Sequence, residues 1–155
     1  MIRMIAACSN NGVIGLNNSI PFRYSEDMKH FRESTKNSIV IMGRKTFESL
    51  DNKPLPNRRN VVISSKKINN IETYSSLAEA INILEKKENI WLIGGAMIYE
   101  EGMRFAEQIV LTIVPDFIFN KESVKFPWIN PLNFNIKSNV ALGNGKLKLI
   151  TYQKI

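Results

Sequence analysis

At 155 residues and 44% hydrophobic content, the chain is long enough to bury a core without disulfides or metal, and one domain spanning 1–155 is expected. Its single cysteine excludes an internal disulfide, and no apolar run approaches membrane-spanning length. The net charge of +7 points to an anionic partner, but beyond Arg44-Lys45, Arg58-Arg59, Lys66-Lys67 and Lys86-Lys87 the basic residues are scattered, which disfavours a dedicated nucleic-acid binder.

Ile2 to Cys8 reads as a buried strand. This apolar start is broken too soon by Ser9-Asn10-Asn11-Gly12 to be a signal peptide, so a reducing, cytoplasmic setting is expected, with Cys8 an inert buried thiol. Ser25 to Thr35 reads as a helix with Ser25 as its N-cap. On it Asp27 shares a face with Phe31, one turn on, behind the Pro-ordered turn Ile20-Pro21-Phe22. An acid beside a flat aromatic wall suits the grip and protonation of a flat nitrogen heterocycle. Taken alone, however, a first-turn acid is explained by the helix dipole. The only histidine, His30, is expected on the helix surface beside the pocket.

Ile39 to Met42 is a second strand, Arg44 to Leu50 a short helix opened by Gly43, and Asn60 to Ser64 a third strand. Ser76 to Lys87 is an amphipathic helix, with Leu77, Ala80, Ile81 and Leu84 on one face and Glu85-Lys86-Lys87-Glu88 at its polar end. Ile90 to Ile93 is a buried strand, followed by Gly94-Gly95, a helix from about Ala96 to Phe105, and a strand from Gln108 to Val114. Phe134 to Leu142 and Lys146 to Lys154 flank the turn residues Gly143-Asn144-Gly145, a hairpin signal. The fold class is therefore α/β: a mixed, mostly parallel sheet with helices on both faces and a C-terminal antiparallel hairpin. Such sheets bind ligands beyond the carboxyl ends of their strands.

Two turns lie there. Gly43-Arg44-Lys45-Thr46 combines a close backbone approach, free helix-start N–H groups and two cations. Gly94-Gly95-Ala96 repeats the glycine turn and helix start. Neither is a Rossmann or P-loop motif, and each alone is equally well ordinary punctuation. Together, on strands able to neighbour each other, they suggest a ligand with several phosphates. Ser64-Ser65-Lys66-Lys67 adds hydroxyls and cations suited to an isolated extra phosphate, or is simply a solvated turn.

One family unites these segments. Ile5-Ala6-Ala7, Gly12-Val13-Ile14-Gly15, Asn18, Ile20-Pro21-Phe22, Asp27, Phe31, Val40 to Ser49, Pro54-Leu55-Pro56-Asn57-Arg58 and Ile93 to Tyr99 follow one another in an order and spacing that resemble dihydrofolate reductase over the whole chain, most closely through Tyr99. The resemblance implies an eight-stranded sheet and reduction of 7,8-dihydrofolate by NADPH, with hydride moving to C6 and a proton to N5. Dihydrofolate and antifolates are the implied partners, and a monomer is the default. Asp27 is implied as the acid, oriented by Thr112, with Phe22 completing the catalytic group. Ile5, Ala6, Met28, Phe31, Leu50, Leu55, Ile93 and Tyr99 are implied to line the substrate pocket, and Arg58 to clasp a carboxylate through its planar fork. For the cofactor the implied set is Ala7, Ile14, Gly15, Asn18, Gly43, Arg44, Lys45, Thr46, Ser64, Ser65, Lys66, Gly94, Gly95, Ala96, Met97, Ile98 and Tyr99. Arg44, Ser65 and Lys66 are candidates for the 2′-phosphate, and residues from Gly15 to Phe22 for a mobile lid. The chain departs from the family at Phe22, where tryptophan is common, and from Phe117 to Phe126, where the usual acidic-threonine pattern before Phe-Pro is missing. A pyrimidine reductase of the riboflavin pathway would need a phosphate site in place of an Arg58 carboxylate clamp. A non-catalytic RNA-binding module would have no use for the acid and both glycine turns.

Overall fold

The computed structural model describes residues 1–84 and 89–155. In chain order its elements are β1 (Ile2–Cys8), β2 (Val13–Gly15), α1 (Ser25–Thr35), β3 (Ile39–Gly43), α2 (Arg44–Ser49), β4 (Arg59–Ile63), β5 (Glu72–Tyr74), α3 (Leu77–Leu84), β6 (Ile90–Leu92), α4 (Ala96–Gly102), β7 (Gln108–Ile113), β8 (Val124–Lys125), β9 (Phe134–Leu142) and β10 (Leu147–Lys154). An eight-stranded sheet runs β5-β4-β3-β6-β1-β7-β10-β9. It is parallel from β5 through β7, and the β9–β10 hairpin joins antiparallel at one edge.

Side chains alternate across each strand, so every central strand feeds two cores. Met4, Ala6, Ile39, Ile41, Leu92 and Leu111 pack on one face with Leu77, Ile81 and Leu84 of α3 and Ile98 and Tyr99 of α4. Ile5, Val40, Met42, Trp91 and Val110 face the other way, toward Phe31 of α1 and Phe47 of α2. Burial on both faces explains why these strands read as unbroken apolar runs. Thr112 alternates onto the α1 face two residues after Val110. That parity brings a buried hydroxyl toward the helix carrying Asp27.

The structure departs from the expected elements at several places. Three short strands have no counterpart in the sequence reading: β5 is a half-buried edge strand, and β2 with β8 forms a separate two-stranded sheet joining residues distant in sequence. Helix α3 spans Leu77–Leu84; of its expected extent, Ser76 precedes the helix and 85–87 lie outside the described residues. Helix α4 ends at Gly102, short of Phe105, and the Phe105 and Ala106 amides both donate to the Gly102 carbonyl. Ser25 is not the cap of α1. Tyr24 holds that position without a side-chain cap bond, and its phenol donates to the Asp116 carboxylate instead.

Gly102 also lies against the sheet so tightly that a Cβ there would stand 2.5 Å from Leu92 Cδ1 and 3.0 Å from Met4 Sδ. Gly102→Ala is accordingly expected to destabilise the fold by about 1–3 kcal/mol. A lower urea midpoint at unchanged slope is the reading that checks it. Among the described residues no helix is long and apolar enough to cross a membrane.

Candidate active site

Asp27 enters the site because α1 packs over the carboxyl ends of β1 and β7 with its first turn half-buried. Burial raises its pKa above the ordinary carboxylate value, opposed by the Thr112 hydroxyl and the His30 imidazole. Thr112 Oγ1 is fully buried and close enough to favour the ionised carboxyl, yet it closes no hydrogen bond of ordinary geometry. On β1, the Ile5 carbonyl accepts a 2.8 Å hydrogen bond from the Tyr99 phenol, with one lone pair left over. Burial, with Asp27 and Cys8 nearby, raises the Tyr99 pKa, so the ring stays neutral and holds β1 to α4. Cys8 is buried, and burial pushes its thiol up to about 11, consistent with an inert group. His30 is not the surface residue expected from the sequence. It is half-buried, burial lowers its pKa, and its Nε2 atom is shielded without a hydrogen-bond partner.

Arg58 is held from two sides. Its Nε donates to the Pro56 carbonyl at 2.9 Å, its Nη1 to Thr35 Oγ1 at 3.1 Å, and its guanidinium carbon stands 5.9 Å from the Phe31 ring centroid. Burial and the neighbouring Arg32 both act against its charge. It lines a cleft of about 290 Å³ with Arg32, Glu33, Lys36, Pro56 and Asn57. Arg59, by contrast, is committed to Glu72 through bonds of 2.8 and 3.0 Å. Two supporting residues escaped the sequence reading. Asn60, buried, exchanges hydrogen bonds with Leu55 and donates to the Arg58 carbonyl, fixing the loop. Thr35, also buried, reaches Arg58 while donating to the Phe31 carbonyl at 2.8 Å. The only prior signal for Thr35 was its position one turn after Phe31. Phe31, Leu50, Leu55 and Ile93 pack as half-buried side chains against the core on the α1 face of the sheet.

The two glycine turns meet at neighbouring strand ends. The Gly43 amide donates to the Gly94 carbonyl at 2.8 Å, and the Gly94-Gly95 peptide is cis. A Cβ on Gly43 would lie 3.5 Å from Ile98 Cγ1 and 3.9 Å from the Gly94 carbonyl; one on Gly95 would stand 3.6 Å from Thr46 Oγ1. Gly94 has φ +114°, and a Cβ there would meet the Tyr99 hydroxyl at 3.1 Å. Arg44 forms an exposed pair with Glu48 at 3.4 Å, so its charge remains open to solvent. Ser64, Ser65 and Lys66 follow β4, adjacent to the end of β3, with the Lys66 amide donating to Ser64 Oγ. The Ile98 side chain is buried in the core, leaving only its backbone for a ligand. Met28 and Met97 are 42% and 73% exposed, so both side chains are open to solvent.

Residues after β2 fold back over α2. Gly15 pairs with Val124, the turn Leu16–Ser19 closes through Asn17 and Asn18 at positive φ, and Asn18 lines a cleft of about 230 Å³ with Lys45, Glu48 and Ser49. Asn11 anchors the base of this segment, its side chain donating to the Ile118 carbonyl and accepting from the Ile118 amide. Ile14 packs against the core, Ala6 is buried, Ala7 is half-buried near the end of β1, and Phe22 is half-buried.

The family model described as dihydrofolate reductase matches residues 1–153. A dihydrofolate reductase from Buchnera aphidicola subsp. Acyrthosiphon pisum is 45% identical over 113 residues, covering 72% of this chain and 70% of that protein. The enzyme of that name from Neisseria meningitidis serogroup B is 42% identical over 116 residues, 73% of this chain and 72% of its own. Among solved structures, dihydrofolate reductase from Enterococcus faecalis complexed with NADP(H) and RAB-propyl superposes with a TM-score of 0.87 at 24% identity, covering 99% of this chain and 96% of that one, a likeness that shows the shared fold. With a family model spanning nearly the whole sequence and close relatives along most of it, this chain belongs to the dihydrofolate reductase family.

Proposed function

We propose that the protein reduces 7,8-dihydrofolate to tetrahydrofolate with NADPH, in support of one-carbon metabolism and thymidylate synthesis. The observation that carries this reading is the half-buried, pKa-raised Asp27 on the same sheet end as two abutting glycine turns. NADPH supplies the hydride when bound. Gly43 and Gly95 suit it because a side chain on either would stand between the two turns, while Arg44, Lys45 and Thr46 offer cations and a hydroxyl to phosphates. Arg44, Ser65 and Lys66 are exposed polar groups around that cradle and are assigned the 2′-phosphate. Asp27 accepts hydrogen bonds from the N3 and 2-amino edge of the pterin, Ile5 and Ile93 offer backbone carbonyls, and the Phe31 and Leu50 side chains bound the benzoyl ring. Because burial raises its pKa, the Asp27 carboxyl keeps its proton to higher pH than a solvated carboxyl does, which suits it to promote protonation at N5. Arg58 holds the substrate carboxylate, and Asn18 on its turn restricts solvent entry.

Absorbance at 340 nm should fall when dihydrofolate joins enzyme and NADPH, and much more slowly with NADH. No decrease with either cofactor refutes the activity. A Lys66→Ala, Arg44→Ala double variant should lose most of the preference for NADPH over NADH, read as the ratio of kcat/KM for the two cofactors. An unchanged ratio removes these residues from the 2′-phosphate site.

A further inference from the structure

Helix α1 carries Asp27 in its first turn, yet little holds that turn from within. Its first intrahelical bond runs from the Met28 amide to the Tyr24 carbonyl at 3.1 Å, so the amides of Ser25, Glu26 and Asp27 precede any helical acceptor. Tyr24, the N-cap, offers them no side-chain oxygen, and an uncapped turn frays readily. The phenol instead donates across the structure to the Asp116 carboxylate, on the connection that follows β7. Asp116 is itself a fixed point. Its carbonyl accepts from the Asn10 amide at 2.8 Å, and the Ile118 backbone exchanges bonds of 2.8 and 3.1 Å with the Asn11 side chain. Segment 116–118 therefore grips the chain where it leaves β1, at Asn10 and Asn11, and again where it enters α1, at Tyr24. Parallel pairing of Ala7 with Thr112 and Cys8 with Ile113 makes this anchorage continuous with the centre of the sheet. The β9–β10 hairpin tip bears on the same helical turn from outside: a Cβ on Gly143 would stand 2.6 Å from Glu26 Cγ.

We propose that the Tyr24–Asp116 hydrogen bond takes the place of the missing cap, making Tyr24 a positioning residue that holds the first turn of α1, and with it the Asp27 carboxyl, over the end of β7. A bond to a charged acceptor suits this task, being about twice as strong as one between neutral groups. Loss of the phenol hydroxyl lets the turn open and takes Asp27 away from the substrate. The glycine turns that suit NADPH lie on β3 and after β6 and are untouched by the same change.

The kinetic arm of the test rests on the dihydrofolate reading, and the hydrogen-exchange arm does not. In the complete protein, Tyr24→Phe removes only the hydroxyl. Exchange of the Met28 amide should then quicken by about 10-fold, the worth of a bond to a charged acceptor. An unchanged rate overturns the proposal, whatever the enzyme turns over. In the assay, the KM for dihydrofolate should rise and kcat/KM fall by about 10-fold, with NADPH affinity unmoved, since small misplacements of a reacting group cost up to about 100-fold. A variant that is merely less stable has fewer active molecules, so kcat falling at constant KM rejects the positioning role. An equal loss of NADPH affinity rejects it too, by placing the defect away from Asp27. Asp116→Asn keeps an acceptor oxygen and should stay within about threefold of the unaltered protein. Asp116→Ala should match Tyr24→Phe, and the two combined should cost no more than either alone. Losses that multiply in the double variant mean that the side chains act separately, and the bond is then not the link.

Discussion

Asp27→Asn is expected to reduce kcat/KM for dihydrofolate near neutral pH by about 10²–10⁴-fold, with NADPH affinity unchanged. The amide preserves shape and some hydrogen bonding to the pterin edge but has no proton to promote N5 protonation. The pH dependence separates these contributions. In the unaltered protein burial holds the Asp27 pKa up, so activity should be greatest while the carboxyl is protonated and decline as pH rises through that raised value. In the variant this inflection should vanish, leaving a shallow recovery toward low pH as solvent protons reach the substrate directly. Full turnover with the original inflection would show that another group titrates in the profile.

The same shift has a stability consequence of opposite sign. An acid whose folded-state pKa exceeds its unfolded value binds more protons when folded, so stability falls as pH rises from about 4 through the raised value. At neutral pH the ionised Asp27 is therefore a burden on the fold. Asp27→Asn should unfold at a temperature equal to or above that of the unaltered protein at pH 7, with the advantage gone near pH 3. Stability gained where activity is lost is the pattern of a strained functional group. A variant less stable at pH 7 contradicts the placement of the carboxyl in a desolvated site.

Legibility from the sequence followed the range of the interactions. The limits of β1 and α1 coincide with the sequence reading because an apolar run and a helical period are local patterns. β2 and β8 are invisible to that reading since their pairing joins Val13 to Lys125, and β5 because an edge strand of Glu72-Thr73-Tyr74 carries no apolar run. Glycine spacing hinted at two cradles, and the strand order alone decides that Gly43 and Gly94 are bonded neighbours. Asn60 and Thr35 look like ordinary polar residues until the fold brings both to Arg58. His30, between Lys29 and Arg32, gives no hint that its ring turns inward.

Arg58→Leu should raise the KM for dihydrofolate by about 10–100-fold, the worth of a charged hydrogen bond of roughly 1.5–3 kcal/mol, while leaving kcat near its original value. A group that holds the remote end of the substrate equally in ground and transition states affects binding alone. The geometry argues for this division. Two of the guanidinium's donors are spent on Pro56 and Thr35, which orient the fork without neutralising it. Burial and Arg32 meanwhile make the uncompensated charge costly, so an arriving carboxylate relieves a strain already present. Leucine should not collapse the loop, because Asn60 holds Leu55 and the Arg58 backbone independently. The decisive comparison is a dihydropterin lacking the benzoylglutamate portion. Arg58→Leu should leave its weak turnover unaltered, whereas an equal loss with both substrates places the defect in the pterin pocket and removes Arg58 from carboxylate recognition.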